Sequence, residues 1–148
     1  MCSHQVFMDQ AIEQAKIGLA SGGLPIGSVI VHQNKIIGKG HNQRIQKGSS
    51  ILHGEMDALE NAKRQSANVY QHSVLYTTLS PCSMCTGAIL LYKIPMVVIG
   101  ENQNFLGEEE LLASRGVHII ILQDKTCIEM MSDFIKNKPN LWNEDIGV

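Results

Sequence analysis

The sequence predicts an α/β fold, a three-layer α/β/α sandwich on a central five-stranded mixed sheet. Segments with three- and four-residue apolar spacing alternate with short β-branched runs, and a sheet in such a chain is covered by helices on both faces. The later runs are separated by helical segments, so crossover connections return them parallel, and only the opening hairpin must be antiparallel. No repeat, low-complexity stretch or Pro/Gly-rich linker interrupts the 148 residues, so 1–148 reads as one domain. A chain of this length buries roughly 70% of its unfolded surface and needs no staple.

The first element is an amphipathic helix over Gln5 to Ala20, with Met8, Ala11, Ile12, Ala15 and Leu19 on one face and Gly22, Gly23 and Pro25 to stop it. Ile26 to Val31 and Lys35 to Lys39 follow as strands of a hairpin turned at Gln33 and Asn34. His53 to about Gln65 repeats helically through Met56, Leu59 and Ala62, and Ser73 to Thr78 is a strand. Pro81 suits the opening of a helix, where its missing N–H would have no partner, so Cys82 to Tyr92 is expected to be helical. Met96 to Ile99 is a short buried strand, Glu108 to Ser114 a helix, Val117 to Leu122 a strand, and Thr126 to Lys136 a helix ended before Pro139.

Composition narrows the function. The formal charge is -2 and no basic block or tail follows the spacing of a phosphate backbone, so a nucleic-acid partner is not expected. No stretch has the length and apolarity of a membrane span, and nothing resembles a signal peptide, so a reducing cytoplasm is the expected compartment. There a close cysteine pair is more often a metal or catalytic site than a disulfide.

His53, Glu55, Cys82 and Cys85 carry the chemistry. His53-Gly54-Glu55 opens one expected helix and Pro81-Cys82-Ser83-Met84-Cys85 opens another. One imidazole and two thiolates suit Zn²⁺, and three protein ligands leave a fourth tetrahedral position for water, as in a catalytic site. The cysteine spacing places both on one face of a first helical turn, where the helix N-terminus favours thiolates. Glu55 is spaced to reach that water without competing for the metal, and its carboxylate can shuttle protons.

Other readings compete. C-x-x-C alone also describes redox dithiols and structural zinc ribbons, but a structural site needs a fourth ligand, for which Cys2, Cys127, His32 and His41 are the available donors. A thioredoxin-like dithiol would need no partner histidine. His4, His32, His72 and His118 stand outside any motif and read as surface or satisfied structural residues. Cys127, near Met130 and Met131 on a helical face, reads as a small core residue. The run Glu108-Glu109-Glu110 reads as solvated charge favourable at a helix start.

H-x-E followed by P-C-x-x-C is the signature of zinc nucleobase deaminases. Beyond it, Gly23-Leu24-Pro25-Ile26-Gly27, Gly40-His41-Asn42, Leu52 to Glu55, Thr77 to Ala88, Gly100-Glu101-Asn102 and Trp142 to Gly147 resemble the fungal-type cytosine deaminases of the cytidine-deaminase-like superfamily, over nearly the whole chain. The first motifs are shared across the superfamily, whereas the Glu-Asp-Ile-Gly ending and Gly-Glu-Asn near a phenylalanine are narrower. Asn143 departs from the pattern, standing where the family carries an aromatic residue beside the tryptophan.

The resemblance implies a homodimer with one Zn²⁺ per subunit held by His53, Cys82 and Cys85, and a closed pocket for a small free pyrimidine base. It implies that Asn42 holds the N1 and O2 edge, that the backbone of Gly54 donates to O2, and that Ser80 and Asp145 face the amino group. Phe105, Trp142 and His53 would sandwich the ring, with Ile146 helping to close a C-terminal lid over about 139–148. An amide side chain offers a donor and an acceptor to adjacent ring positions, and aromatic walls stack on a flat base. Asn42 as a turn residue and Trp142 as C-terminal packing are the bland alternatives. The expected reaction is hydrolysis of cytosine to uracil and ammonia, with Glu55 catalytic. Isocytosine, guanine, adenosine in tRNA, and a noncatalytic zinc-binding module remain the rival readings.

Overall fold

The computed structural model describes residues 3–148. Its elements run α1 (His4–Ala20), β1 (Gly27–His32), β2 (Lys35–His41), α2 (Arg44–Lys47), α3 (Gly54–Ala62), α4 (Ala67–Tyr70), β3 (Ser73–Thr77), α5 (Ser83–Tyr92), β4 (Met96–Ile99), α6 (Glu109–Ser114), β5 (His118–Ile121), α7 (Lys125–Asn137) and α8 (Pro139–Asp145). The strands form one five-stranded mixed sheet in the order β2-β1-β3-β4-β5.

Strand periodicity separates the two covered faces. Ile30, Leu75, Val97 and Ile99 point to one side and pack with Ala58, Ala62, Ile89 and Leu112 from α3, α5 and α6. Their neighbours Val29, Val31, Tyr76 and Val98 point to the other side and meet Met8, Ala11 and Ile12 of α1 and Cys127 of α7. Because both faces are buried, the strands read as nearly continuous apolar runs. Cys127 is the small core residue its position suggested, with burial pushing its thiol far up in pKa.

Local signals explain several boundaries. The Ser3 hydroxyl accepts from Gln5 N at 3.1 Å to start α1, and Asp124 accepts from Cys127 N at 3.1 Å to start α7. The hairpin turns on Gln33 and Asn34, both with positive φ (51° and 61°), the two-residue loop whose twist matches antiparallel strands. At Gly40 a Cβ would lie 2.2 Å from Ala58 N, so β2 and α3 touch backbone to backbone.

The topology corrects one expectation: besides the β1–β2 hairpin, β1 also pairs antiparallel with β3, from Ser28 opposite Thr77 to His32 opposite Ser73. The first hairpin strand, not the second, docks on the sheet centre, so its direction opposes β3. The β3–β4 and β4–β5 pairs are parallel as expected. Two short helices, α2 and α4, and the C-terminal α8 were not anticipated as helices; α8 begins at Pro139, where a ring-locked φ suits a first turn.

This order brings one set of chain segments to a single edge of the sheet. Ile26 precedes β1, Asn42 follows β2, Ser80 to Cys82 follow β3, and Glu101 to Phe105 follow β4. Open α/β sheets bind ligands outside such strand ends. A third apolar cluster, Leu24, Ile26, Leu79, Met131, Phe134 and Trp142 with Phe105 and Ile146 packed on it, covers that edge.

Candidate active site

His53 and Cys82 are the extended N-cap residues of α3 and α5, and Cys85 lies in the first turn of α5. The two helix starts therefore face each other. His53 Nδ1 is 3.4 Å from Cys82 Sγ and 3.8 Å from Cys85 Sγ, and the three donor atoms lie within 4.8 Å of one another. Tetrahedral Zn²⁺ at ordinary bond lengths separates a nitrogen and a sulfur ligand by about 3.6 Å, so the donor set fits this metal in both chemistry and spacing. Among the described residues no fourth histidine, cysteine or carboxylate joins the group. Cys127 is in the core, and Cys2 lies outside the described residues. A three-ligand set is that of a catalytic rather than a structural site.

The electrostatics follow from burial and proximity. Cys82 is pulled down to about 4, first by its hydrogen bond with Cys85 and then by His53 against the opposing effect of burial. Cys85 is pushed well above its usual value by that same bond, by burial and by Glu55. Burial acts to lower His53, but its bond to Cys82 and the carboxylates of Asp145 and Glu55 prevail and raise it to about 9. Glu55, 4% exposed, is raised to about 7 by burial, partly offset by His53. A carboxyl poised near neutrality suits a group that must accept and return protons.

Asp145 organises the opposite side. Its Oδ1 accepts from Asn42 Nδ2 at 2.8 Å, and its Oδ2 lies 3.5 Å from His53 Nε2, the ring nitrogen turned away from the sulfurs. A carboxylate at that nitrogen fixes the ring orientation of a metal-binding histidine. Arg44 Nη1 adds a contact to Asp145 at 3.7 Å and another to Glu144 at 3.5 Å. Phe105 and Trp142 meet edge to face, ring centroids 5.7 Å apart.

A cavity of about 20 Å³ lies between these side chains, lined by Ile26, His53, Glu55, Leu79, Ser80, Cys82, Phe105, Trp142, Asp145 and Ile146. The structure thus brings His53, Cys82, Glu55, Ser80, Phe105, Trp142, Asp145 and Ile146 to one chamber. Cys85, Asn42 and Gly54 are off its wall: Cys85 is buried with its Sγ 3.8 Å from His53 Nδ1, Asn42 is linked through Asp145, and Gly54 opens α3. First-turn N–H groups lack intrahelical partners, which suits Gly54 to a donor role.

Sequence reasoning missed Ile26 and Leu79 as apolar walls and Arg44 as a partner of α8. It also misplaced Glu109. That carboxylate is not a solvated member of an acidic run: it accepts the Ser80 hydroxyl at 2.6 Å and Asn102 Nδ2 at 3.2 Å. Ser80 Oγ in turn accepts Gly107 N at 2.9 Å, so the Ser80 turn and the Phe105 loop are joined. Proximity in the sequence gave no hint of this contact. His4 is satisfied structurally, its Nδ1 2.7 Å from Tyr76 Oη.

The fold and this site define a zinc-dependent deaminase, with a His/Cys/Cys metal group beside an acid–base glutamate. A family model described as the cytidine and deoxycytidylate deaminase zinc-binding region matches residues 1–101, and the chain belongs to that family. It is 58% identical to a cytosine deaminase of Candida albicans over 138 residues, 93% of this chain and 92% of the relative. It is 41% identical to a tRNA-specific adenosine deaminase of Streptococcus pyogenes over 107 residues, 71% of this chain and 67% of the relative. A solved guanine deaminase from Nitrosomonas europaea superposes with a TM-score of 0.72 at 19% identity, covering 90% of this chain and 85% of that one, and bears on the fold alone.

Proposed function

We propose that this enzyme hydrolyses free cytosine to uracil and ammonia. The observation that carries the reading is the aromatic-walled cleft in which Glu55, Ser80 and Asp145 converge beside the metal group. It is supported by the 58% identity to a cytosine deaminase along nearly the full length of both chains.

His53, Cys82 and Cys85 would hold the zinc, which would supply a Lewis acid able to lower the pKa of water toward neutrality. Glu55 accepts a proton from the attacking water as the water oxygen bonds to the ring carbon bearing the amino group, and delivers it to the adjacent ring nitrogen. Glu55 then takes the remaining proton of the added hydroxyl and passes it to the amino group, which leaves as ammonia as the C–N bond breaks and the ring carbonyl forms. Asp145 and Ser80 face the amino group, and Asn42 and the Gly54 N–H hold the opposite edge. The Asn42 amide has its nitrogen toward Asp145 and its oxygen toward Arg44 N (3.1 Å), which leaves a second N–H and a lone pair for O2 and N1. Phe105, Trp142 and the His53 ring bound the base, and Ile146 with residues 139–148 forms a lid over a single catalytic domain.

A homodimer is the companion proposal. Helix α5 is apolar around its circumference, and its outer residues Leu91 and Tyr92 remain 69% and 42% exposed, a surface suited to a second copy of the chain. Its thiolate ligands suit a reducing, cytoplasmic location.

The test is ammonia release by zinc-loaded protein from free cytosine, isocytosine, guanine, cytidine and an adenosine-containing tRNA stem-loop. Turnover of cytosine and not cytidine is expected. Turnover of another member alone would keep the zinc chemistry and overturn the substrate.

A further inference from the structure

Asp57 lies two positions beyond Glu55 on α3, and the chemistry above leaves it unused. Its carboxylate is buried, yet its hydrogen-bond partners are neutral: His41 N at 3.0 Å from Oδ2, and Gln43 Nε2 at 3.0 Å from each oxygen. A carboxylate held in the interior by neutral donors is costly, so a fold needing only packing would gain by a neutral side chain there.

The two residues it holds are the neighbours of Asn42. Asn42 itself is fully buried, with its backbone N–H on Ile26 O at 2.9 Å and its side chain shared between Arg44 N and Asp145. Asp57 therefore ties both sides of Asn42 to the helix that carries Glu55. The backbone contact of Gly40 with α3 makes this reach possible, since a Cβ there would also meet the Asp57 carbonyl carbon at 2.6 Å.

We propose that Asp57 is a positioning residue for base recognition, holding His41 and Gln43 to α3 so that the Asn42 amide keeps a fixed offset from Glu55. The inference rests on the cytosine reading of the site. The ring then meets at its far edge an amide already held in place, and loss of that pre-organisation weakens binding of the base.

The experiment is steady-state kinetics with cytosine on zinc-loaded wild type, Asp57→Ala, Asp57→Asn, Asn42→Ala and the Asp57→Ala/Asn42→Ala double variant, with metal content measured for each. Asp57→Ala is expected to raise KM by about 10-fold with zinc retained and kcat changed by less than about 3-fold. Asp57→Asn should stay near wild type, because its Oδ1 can accept from His41 N while the Gln43 amide turns over to accept from its Nδ2. In the Asn42→Ala background, Asp57→Ala should add nothing to KM. An unmoved KM in Asp57→Ala, or the same factor in both backgrounds, would overturn the inference while leaving the substrate reading intact. If Asp57→Ala does not fold, Gln43→Leu removes one arm and must raise KM several-fold for the inference to stand. Zinc-loaded wild type inert toward cytosine would overturn the substrate reading, and this inference with it, before any variant is compared.

Discussion

Asn42 Nδ2 donates to Asp145 Oδ1 at 2.8 Å, joining residues 103 positions apart. The bond ties the segment after β2 to α8, with Arg44 beside it on Asp145 and Glu144. Because Asp145 also faces His53 Nε2, one carboxylate connects the C-terminal helix to a metal ligand. Asn42→Ala and Asp145→Ala should each lower kcat/KM for cytosine by at least about 10-fold, and the double variant should lose less than the product of the two. A coupling of about 1–3 kcal/mol is expected for a buried charge-assisted bond. Independent effects in the double-mutant cycle would show that the contact has no part in substrate handling.

Replacing Glu55 by Gln keeps the shape of the side chain and removes the proton carrier. Activity should fall at least about 10²-fold with zinc content unchanged. A variant near full activity would remove Glu55 from the mechanism.

The same substitution has an opposite effect on the stability of the metal-free protein. Burial raises Glu55 from 4.5 to about 7, so folding favours its protonated form. The resulting cost is absent below about pH 4.5, grows between there and pH 7, and is complete above it. Glu55→Gln should therefore be more stable than wild type at pH 8 by up to about 3 kcal/mol, and nearly equal to it at pH 4.5. Urea unfolding of the chelator-treated proteins at both values measures this, and equal midpoints at pH 8 would contradict it.

Proton release accompanies metal binding. At neutral pH His53 is held protonated, with its value raised to about 9, and Cys85 is held as a thiol, whereas Cys82 is already a thiolate. A metal needs neutral imidazole and two thiolates, so Zn²⁺ binding at pH 7 should expel about two protons. Calorimetry in buffers of different ionisation enthalpy reads the number directly; a value near zero would mean that the ligands are already deprotonated. Chelation should abolish turnover and added Zn²⁺ restore it.

The metal group was legible because its chemistry demands specific residue types at helix starts, and both Pro81 and the apolar spacing mark those starts locally. The two-faced sheet was legible through its β-branched runs. The β1–β3 pairing was not, since a hairpin's own pattern does not say which strand docks on the sheet. Arg44, Asp57 and Glu109 were invisible for a related reason: each acts through partners brought near only by the completed topology, Glu109 reaching Ser80 across 29 positions and Arg44 reaching Glu144 across 100. Charged side chains at such positions look like solvated surface until the partner is known. Helix α8 lacked an amphipathic repeat of its own, and its helical form depends on seating Trp142 against Leu24, Ile26 and Phe134.

Glu109 gives the sharpest separation between an acidic run and a structural contact. Glu108 and Glu110 are exposed, while Glu109 accepts from Ser80 and Asn102 and so holds the Phe105 loop against the turn that leads to Cys82. The approach is close enough that a Cβ at Gly107 would collide with the Pro81 carbonyl oxygen, and Glu108 N donates to that oxygen at 3.1 Å. Removing the carboxylate leaves the Ser80 hydroxyl without its acceptor and frees the loop that carries one aromatic wall. Glu109→Ala should therefore cost about 1–2 kcal/mol in stability and raise KM for cytosine, whereas Glu108→Ala and Glu110→Ala should leave both within about 0.5 kcal/mol of wild type. Ser80→Ala should reproduce most of the Glu109→Ala loss and add little to it in the double variant. Equal behaviour of all three glutamate variants in urea unfolding and steady-state kinetics would return Glu109 to the solvated run.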